Sequence, residues 1–269
     1  MRRVFWWIAV AGWILAIVPL LFALQPSPAS NAYTVLGLED VRIQERVRLE
    51  PGDVGANRGT LNLGARVRIA GSAAADTIRA RAGVQAGSFF CRLALGPAAL
   101  TCEPLSVPVV DVATLPLVQV VPGAAEVRVP AGANATPLDP GGYGVARIGA
   151  RGRLTLAGGN YALRSLTIGP RGRLLCAAPC RVSVLERVIV RQRALIAATT
   201  PYGASDVDIE IEAEGHGPVF AARSPSSVAA RVYAPNGDII LGADGSYEGR
   251  FVGRRVRVGA RARVTGLDL

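Results

Sequence analysis

A seven-residue pattern recurs along this chain and constrains its fold more than any other feature: apolar, Gly, Ala, Arg, small or Val, polar, apolar. It appears as IQERVRL from Ile43, LGARVRI from Leu63 and ARAGVQA from Ala80. It returns as IGARGRL from Ile148, IGPRGRL from Ile168 and VRQRALI from Val190, and closes as LGADGSY from Leu241 and VGARARV from Val258. Successive starts differ by 20, 17, 68, 20, 22, 51 and 17 residues, so the long intervals leave room for less regular turns. A coil of about 17–22 residues holds two or three short strands but cannot bury its apolar face alone; stacked coils bury it against one another. Alternating positions such as Val256, Val258 and Val264 then form inward ladders. In this reading Gly at the second pattern position supplies a left-handed corner, and the outward Arg positions stay solvated and discourage edge pairing.

A second motif keeps the same register. LDPGGYGVARIG from Leu138 resembles LAGGNYALRSLTIG from Leu156, with Tyr143 and Tyr161 18 apart, and each leads into a copy of the heptad. Composition agrees. The chain has 269 residues, 31 Gly and 18 Pro, and beyond residue 32 its apolar residues come in short runs. That Gly load is hard to place in helical repeats, and a sandwich has no reason to repeat one heptapeptide. The expectation is an all-β, single-stranded parallel β-helix (a β-solenoid, expected right-handed) of roughly ten or more coils over residues 33–269. The Pro-rich stretch 104–142 is too apolar for a flexible linker; it reads as an irregular excursion packed on the solenoid that resumes near Val127.

Before the repeat, Arg2 and Arg3 precede 21 uncharged residues, Val4 to Leu24, and the small-residue region SPASNA. That pattern marks residues 1–32 as an export signal, cleaved after Ala29 or Ala32, or as a retained membrane anchor through residues 4–24. Four Cys follow: Cys91 and Cys102, then Cys176 and Cys180. An even count in an exported chain reads as two local disulfides. Free thiols and a metal site are the alternatives, but CAAPC is not a usual zinc spacing and the single His, His216, is remote in sequence from both pairs. The expected location is the periplasm, cell surface or extracellular space.

The formal net charge is +10, and the basic residues are all Arg. A GC-rich genome explains an absence of Lys; the functional alternative is a surface that attracts acidic polymers. No zinc-finger spacing or basic-aromatic platform points to nucleic acid.

VYAPNGDIILGADGSYEGRFVGRRVRVGARARVTG, from Val232, resembles the C-terminal motif of exported bacterial β-solenoid proteins, and GGNYALRSLTIGPRGRLL resembles a coil of the same group. GDVGANRGTLNLGARVRIAG is similar to coils of such proteins and, more loosely, to bactofilin-type polymer-forming domains. The resemblance implies a structural role in the cell envelope or outside the cell, and no reaction. The export signal and the cysteines depart from bactofilins and set a cytoskeletal role aside.

Chemistry is sparse in the sequence. The single acidic cluster, DVDIEIEAEGH, alternates Asp206, Asp208, Glu210, Glu212 and Glu214 with apolar residues. Period two places all five on one strand face. That face is either solvated and balanced by Arg254, Arg255, Arg257, Arg261 and Arg263, or a calcium or substrate face; calcium wants ligands converging from a curved loop. His216 between glycines reads as an exposed loop residue, and Ser165, Ser224, Ser226 and Ser227 lack a nucleophile-elbow context. Asp238 and Asp244 read as solvated turn corners. The expected function is a non-catalytic structural or adhesive scaffold with no cofactor, presenting the Arg set and the acidic strand to acidic polysaccharide or to other copies. The alternatives are a β-helix polysaccharide lyase or hydrolase and an end-to-end polymer joined through an uncapped last coil, Val256 to Leu269.

Overall fold

The structure is a computed structural model that describes residues 33–97, 100–105, 109–213 and 217–267. It is a parallel β-solenoid of about 11 turns with almost no helix. The chain first runs through β1 (Tyr33–Ile43), β2 (Arg48–Leu49), β3 (Asp53–Leu63), β4 (Arg68–Ile69), β5 (Ser72–Ala80) and β6 (Ser88–Leu95). After a long connection it resumes with β7 (Val127–Val129), β8 (Gly141–Ile148), β9 (Arg153–Leu156), β10 (Gly159–Ile168), β11 (Arg173–Cys176) and β12 (Cys180–Val190). It ends with β13 (Leu195–Ala198), β14 (Val207–Ile211), β15 (Pro218–Ala222), β16 (Ser227–Leu241), β17 (Ser246–Val258) and β18 (Arg263–Thr265). Every pairing between these strands is parallel.

The coils do not stack in chain order. β1 lies between β3 and β17, with Val41 beside Leu61 on one side and Val256 on the other. Likewise β2 lies between β4 and β18. The axial order is therefore β7, β8, β10, β12, then β14 with β15, β16, β17, and only then β1, β3, β5 and β6. The last coil sits inside the stack, covered by the first. This corrects the expectation of an uncapped terminal coil at Val256 to Leu269, the feature on which end-to-end polymerisation rested. One true end is β6, where Glu103 bonds its edge (Glu103 N–H to Phe89 O, 2.8 Å) and the Cys91–Cys102 disulfide ties the following segment down. The other is the coil of β7, where Pro130 and Pro137 have no N–H to offer a further strand.

The heptad is the corner between two strands of each coil. Its first, fifth and seventh positions point inward, as with Ile43, Val47 and Leu49, all 1% exposed or less. The left-handed residue is the fourth position, not the second: φ is 57–59° at Arg46, Arg66, Arg151, Arg171, Arg193 and Arg261, and 55° at Asp244. Glycine at the second position answers a different need, close approach of the next coil. A Cβ on Gly64 would lie 2.6 Å from the Gln44 carbonyl carbon, and one on Gly149 2.6 Å from the Ala131 nitrogen. Each left-handed N–H donates to a carbonyl of the next coil, as from Arg46 to Ala65 O (2.9 Å) and from Arg151 to Pro170 O (2.9 Å). That bond holds the corner in a conformation otherwise costly for a side chain with a Cβ. Two copies hidden in the long sequence intervals complete the column: VPAGANA from Val129, cornered on Gly132, and ARSPSSV from Ala222, with Pro225 at the fourth position. Tyr143 pairs with Leu163 rather than with Tyr161, because these coils repeat at 20 residues while the tyrosines are 18 apart.

The connection from β6 to β7 is a strap that runs the length of the stack against the axial order. Val110 N–H donates to Asn57 Oδ1 on β3 (2.8 Å), the Tyr233 hydroxyl on β16 donates to Pro116 O (2.8 Å), and Val120 N–H donates to Glu212 (2.5 Å). Gly144 N–H on β8 then donates to Ala125 O (2.7 Å). Beneath the strap an outward column turns apolar: Tyr233, Val252, Leu36, Gly55, Ala74 and Phe90 lie one above another. Leu36, Val252 and Ala74 pack there with Val109 and Val110, forming a second core outside the barrel of the solenoid. Burial beside Glu210 pushes the Tyr233 phenol up to about 12, keeping it a neutral donor to the strap.

The two disulfides are Cys91–Cys102 and Cys176–Cys180, and no described cysteine is free. They fit a non-reducing environment. The proposed signal or anchor, residues 1–32, lies outside the described residues; among those described, no helix is long and apolar enough to cross a membrane.

Candidate functional site

The acidic strand is less regular than its sequence. Only Asp208 and Glu210 lie on β14. Asp206 ends a 3-10 turn, Ala204–Asp206, and accepts from Gly203 N–H (2.8 Å). Glu212 follows the strand and holds the strap, and Glu214 and His216 lie outside the described residues. The counter-charges come from neighbouring coils rather than from the Arg254–Arg263 set. Arg231 on β16 donates twice to Asp208 (2.6 and 2.9 Å), and Arg181 on β12 approaches Glu210 at 3.5 Å. Parallel register explains this: Asp208 sits between Arg181 and Arg231, which sequence separation hides. Among the described residues no group of His, Cys, Asp or Glu is arranged to hold a metal ion.

The five arginines singled out in the last coil, Arg254, Arg255, Arg257, Arg261 and Arg263, divide by role. Arg254 and Arg255 both donate to Asp238, which lies within β16 and not at a turn (2.9 Å from Arg254 Nη2, 2.7 Å from Arg255 Nη2). Arg261 grips Asp244 through two bonds of 2.7 and 2.8 Å, and this holds the Asp244 carboxyl below its ordinary range. Asp244 is the left-handed corner foreseen as a solvated turn. Arg257 and Arg263 are different: both are exposed, and no carboxylate pairs with either among the described residues.

The stacking order gives those two arginines neighbours that no reading in chain order supplies. Arg257 stands beside Arg42, Arg42 beside Asn62, and Asn62 beside Arg79. Around the corner Arg263 stands beside Arg48, and Arg48 beside Arg68. Neighbouring parallel strands are about 4.8 Å apart, so each column stacks like charges at close range. Between the columns runs the left-handed ridge of Arg261, Arg46 and Arg66. Gly or Asn would occupy such corners with less strain. Arginine at six of the seven non-glycine left-handed positions is therefore something the backbone does not require. A polyanion would relieve the repulsion along these columns.

No protein-family model, no curated protein and no solved structure matches this chain. Fold and site define it as a β-solenoid protein with a strongly basic edge.

Proposed function

We propose that the protein is an exported, non-catalytic scaffold of the cell envelope or surface that binds acidic polysaccharide along its basic edge. The carrying observation is the register that stacks Arg257 on Arg42 and Arg263 on Arg48 and Arg68, with no carboxylate paired to them among the described residues. The disulfides fit an oxidising location, and the excess of Arg over acids favours an anionic partner.

The test is binding of the full chain to a panel of acidic and neutral polysaccharides, with Arg42, Arg79 and Arg257 replaced together by Ala. These three are better controls than Arg254 and Arg255, whose loss would also strand Asp238. At roughly 0.5–1 kcal/mol per exposed contact, the triple change is expected to weaken binding about tenfold or more. It should also flatten the dependence on salt. Undiminished binding by the triple variant, or equal binding to neutral glycans, contradicts the proposal.

A further inference from the structure

The columns are not equivalent. The Arg257–Arg42–Asn62–Arg79 column lies in a continuous open groove, formed by two depressions of about 610 and 590 Å³ that share Arg42, Asn62 and Arg79. The groove has definite ends. The same column continues to Leu95 on β6 beyond Arg79, and to Ile240 on β16 below Arg257. Four coils therefore carry its polar stretch, about 14 Å from first strand to last at the spacing of parallel strands. Three acids line it: Asp40 accepts from Thr60 N–H (2.8 Å), Asp238 takes Arg254 and Arg255, and the exposed Glu45 acts electrostatically on Arg261 at the corner. Arg257, Arg42 and Arg79 are exposed, and Asn62 is half-buried between Arg42 and Arg79.

Resting on the scaffold reading above, we infer that this groove seats one linear anionic glycan parallel to the solenoid axis, with anionic groups on Arg257, Arg42 and Arg79 and an uncharged, hydroxyl-bearing stretch over Asn62. The direction follows from register, since the cations lie along the stack and not around a coil. The ligand class follows from Asn62. Its amide both donates and accepts, which suits a sugar hydroxyl, whereas a fourth arginine would demand another anion. Arg257 and Arg42 are one strand spacing apart and Arg42 and Arg79 two, about 5 and 10 Å, so the fitting polymer carries closely spaced anionic groups with one uncharged gap over Asn62. Among the described residues no aromatic side chain lines the groove to stack a nucleic-acid base.

The experiment is calorimetric titration of the full chain with heparin fragments of increasing length, for wild type, Asn62→Asp and Asn160→Asp. Asn160 is exposed on β10, away from the groove, and undergoes the identical chemical change. The expected result is a loss of about five- to tenfold for Asn62→Asp and less than about twofold for Asn160→Asp, with unchanged melting temperatures. Affinity should rise with fragment length until the fragment spans about 14 Å. Equal effects of the two substitutions, binding independent of length, or equal competition by single-stranded DNA would overturn the inference. If heparin binds wild type tightly and Asn62→Asp is silent, the groove fails and the broader reading stands. If heparin does not bind wild type, both fall.

Discussion

Truncating the chain after Gly245 is expected to abolish folding of the whole stack rather than to trim one end. The truncation removes β17, which lies between β16 and β1, and β18, which lies between β17 and β2. Val35, Val41 and Ile43 on one side and Val232, Ile239 and Leu241 on the other are each at most 1% exposed and would lose that cover. At about 1.5–3 kcal/mol for each buried aliphatic side chain, the loss rivals the roughly 5–15 kcal/mol that holds a whole domain together. Circular dichroism and limited proteolysis should find no cooperative transition and no protected core. A solenoid stacked in chain order would instead lose only a terminal coil, with a small drop in melting temperature, because each repeat contacts only its neighbours.

A single methyl group at Gly249 is expected to be the most damaging small substitution. Gly249 lies in β17 at φ 132°, where side chains are strained, and a Cβ there would collide with the backbone carbonyl of Ala230 on the coil below. The partner is backbone within a parallel ladder, Ala230 beside Gly249, so it cannot rotate away. Gly249→Ala should cost about 3 kcal/mol or more, combining backbone strain with displacement of the ladder. Urea denaturation measures this. A change under about 1 kcal/mol would mean that β16 and β17 are not in this register.

The heptad made the class of fold legible because its constraint is local: inward positions alternate, and the next coil must come close at the second position. The order of the coils was not legible, because nothing in VGARARV or IQERVRL says that one lies on the other. Stacking is specified by shape and by free strand edges, and any two such coils are compatible. The left-handed position differs from the sequence expectation for a physical reason. Backbone preference points to glycine, while here a bond from each corner N–H to the next coil holds arginine in that conformation. The copies at Val129 and Ala222 are hidden in the sequence because Gly132 and Pro225 replace the arginine that makes the pattern visible. The partners of the acidic strand, Arg181 and Arg231, are 27 and 23 residues from Asp208, invisible until register brings them level. Of the candidate site, Arg257 and Arg263 were legible; Arg42, Arg48, Arg68, Asn62 and Arg79 follow only from the stacking order.

That order makes the basic edge a joint product of both ends of the chain. The N-terminal coils contribute Arg42 and Arg79, the last coil contributes Arg257, and the strap carries the chain from one end of the stack to the other. The most direct test places nitroxide labels on Cys residues introduced at Arg42 and Arg257, both exposed; the native cysteines are held in disulfides and do not react. Adjacent strands predict strong dipolar broadening, with the labels within about 15 Å once their arms are added to a 4.8 Å strand spacing. A separation near 48 Å, the span of about ten strand spacings expected when the coils follow chain order, would contradict the account.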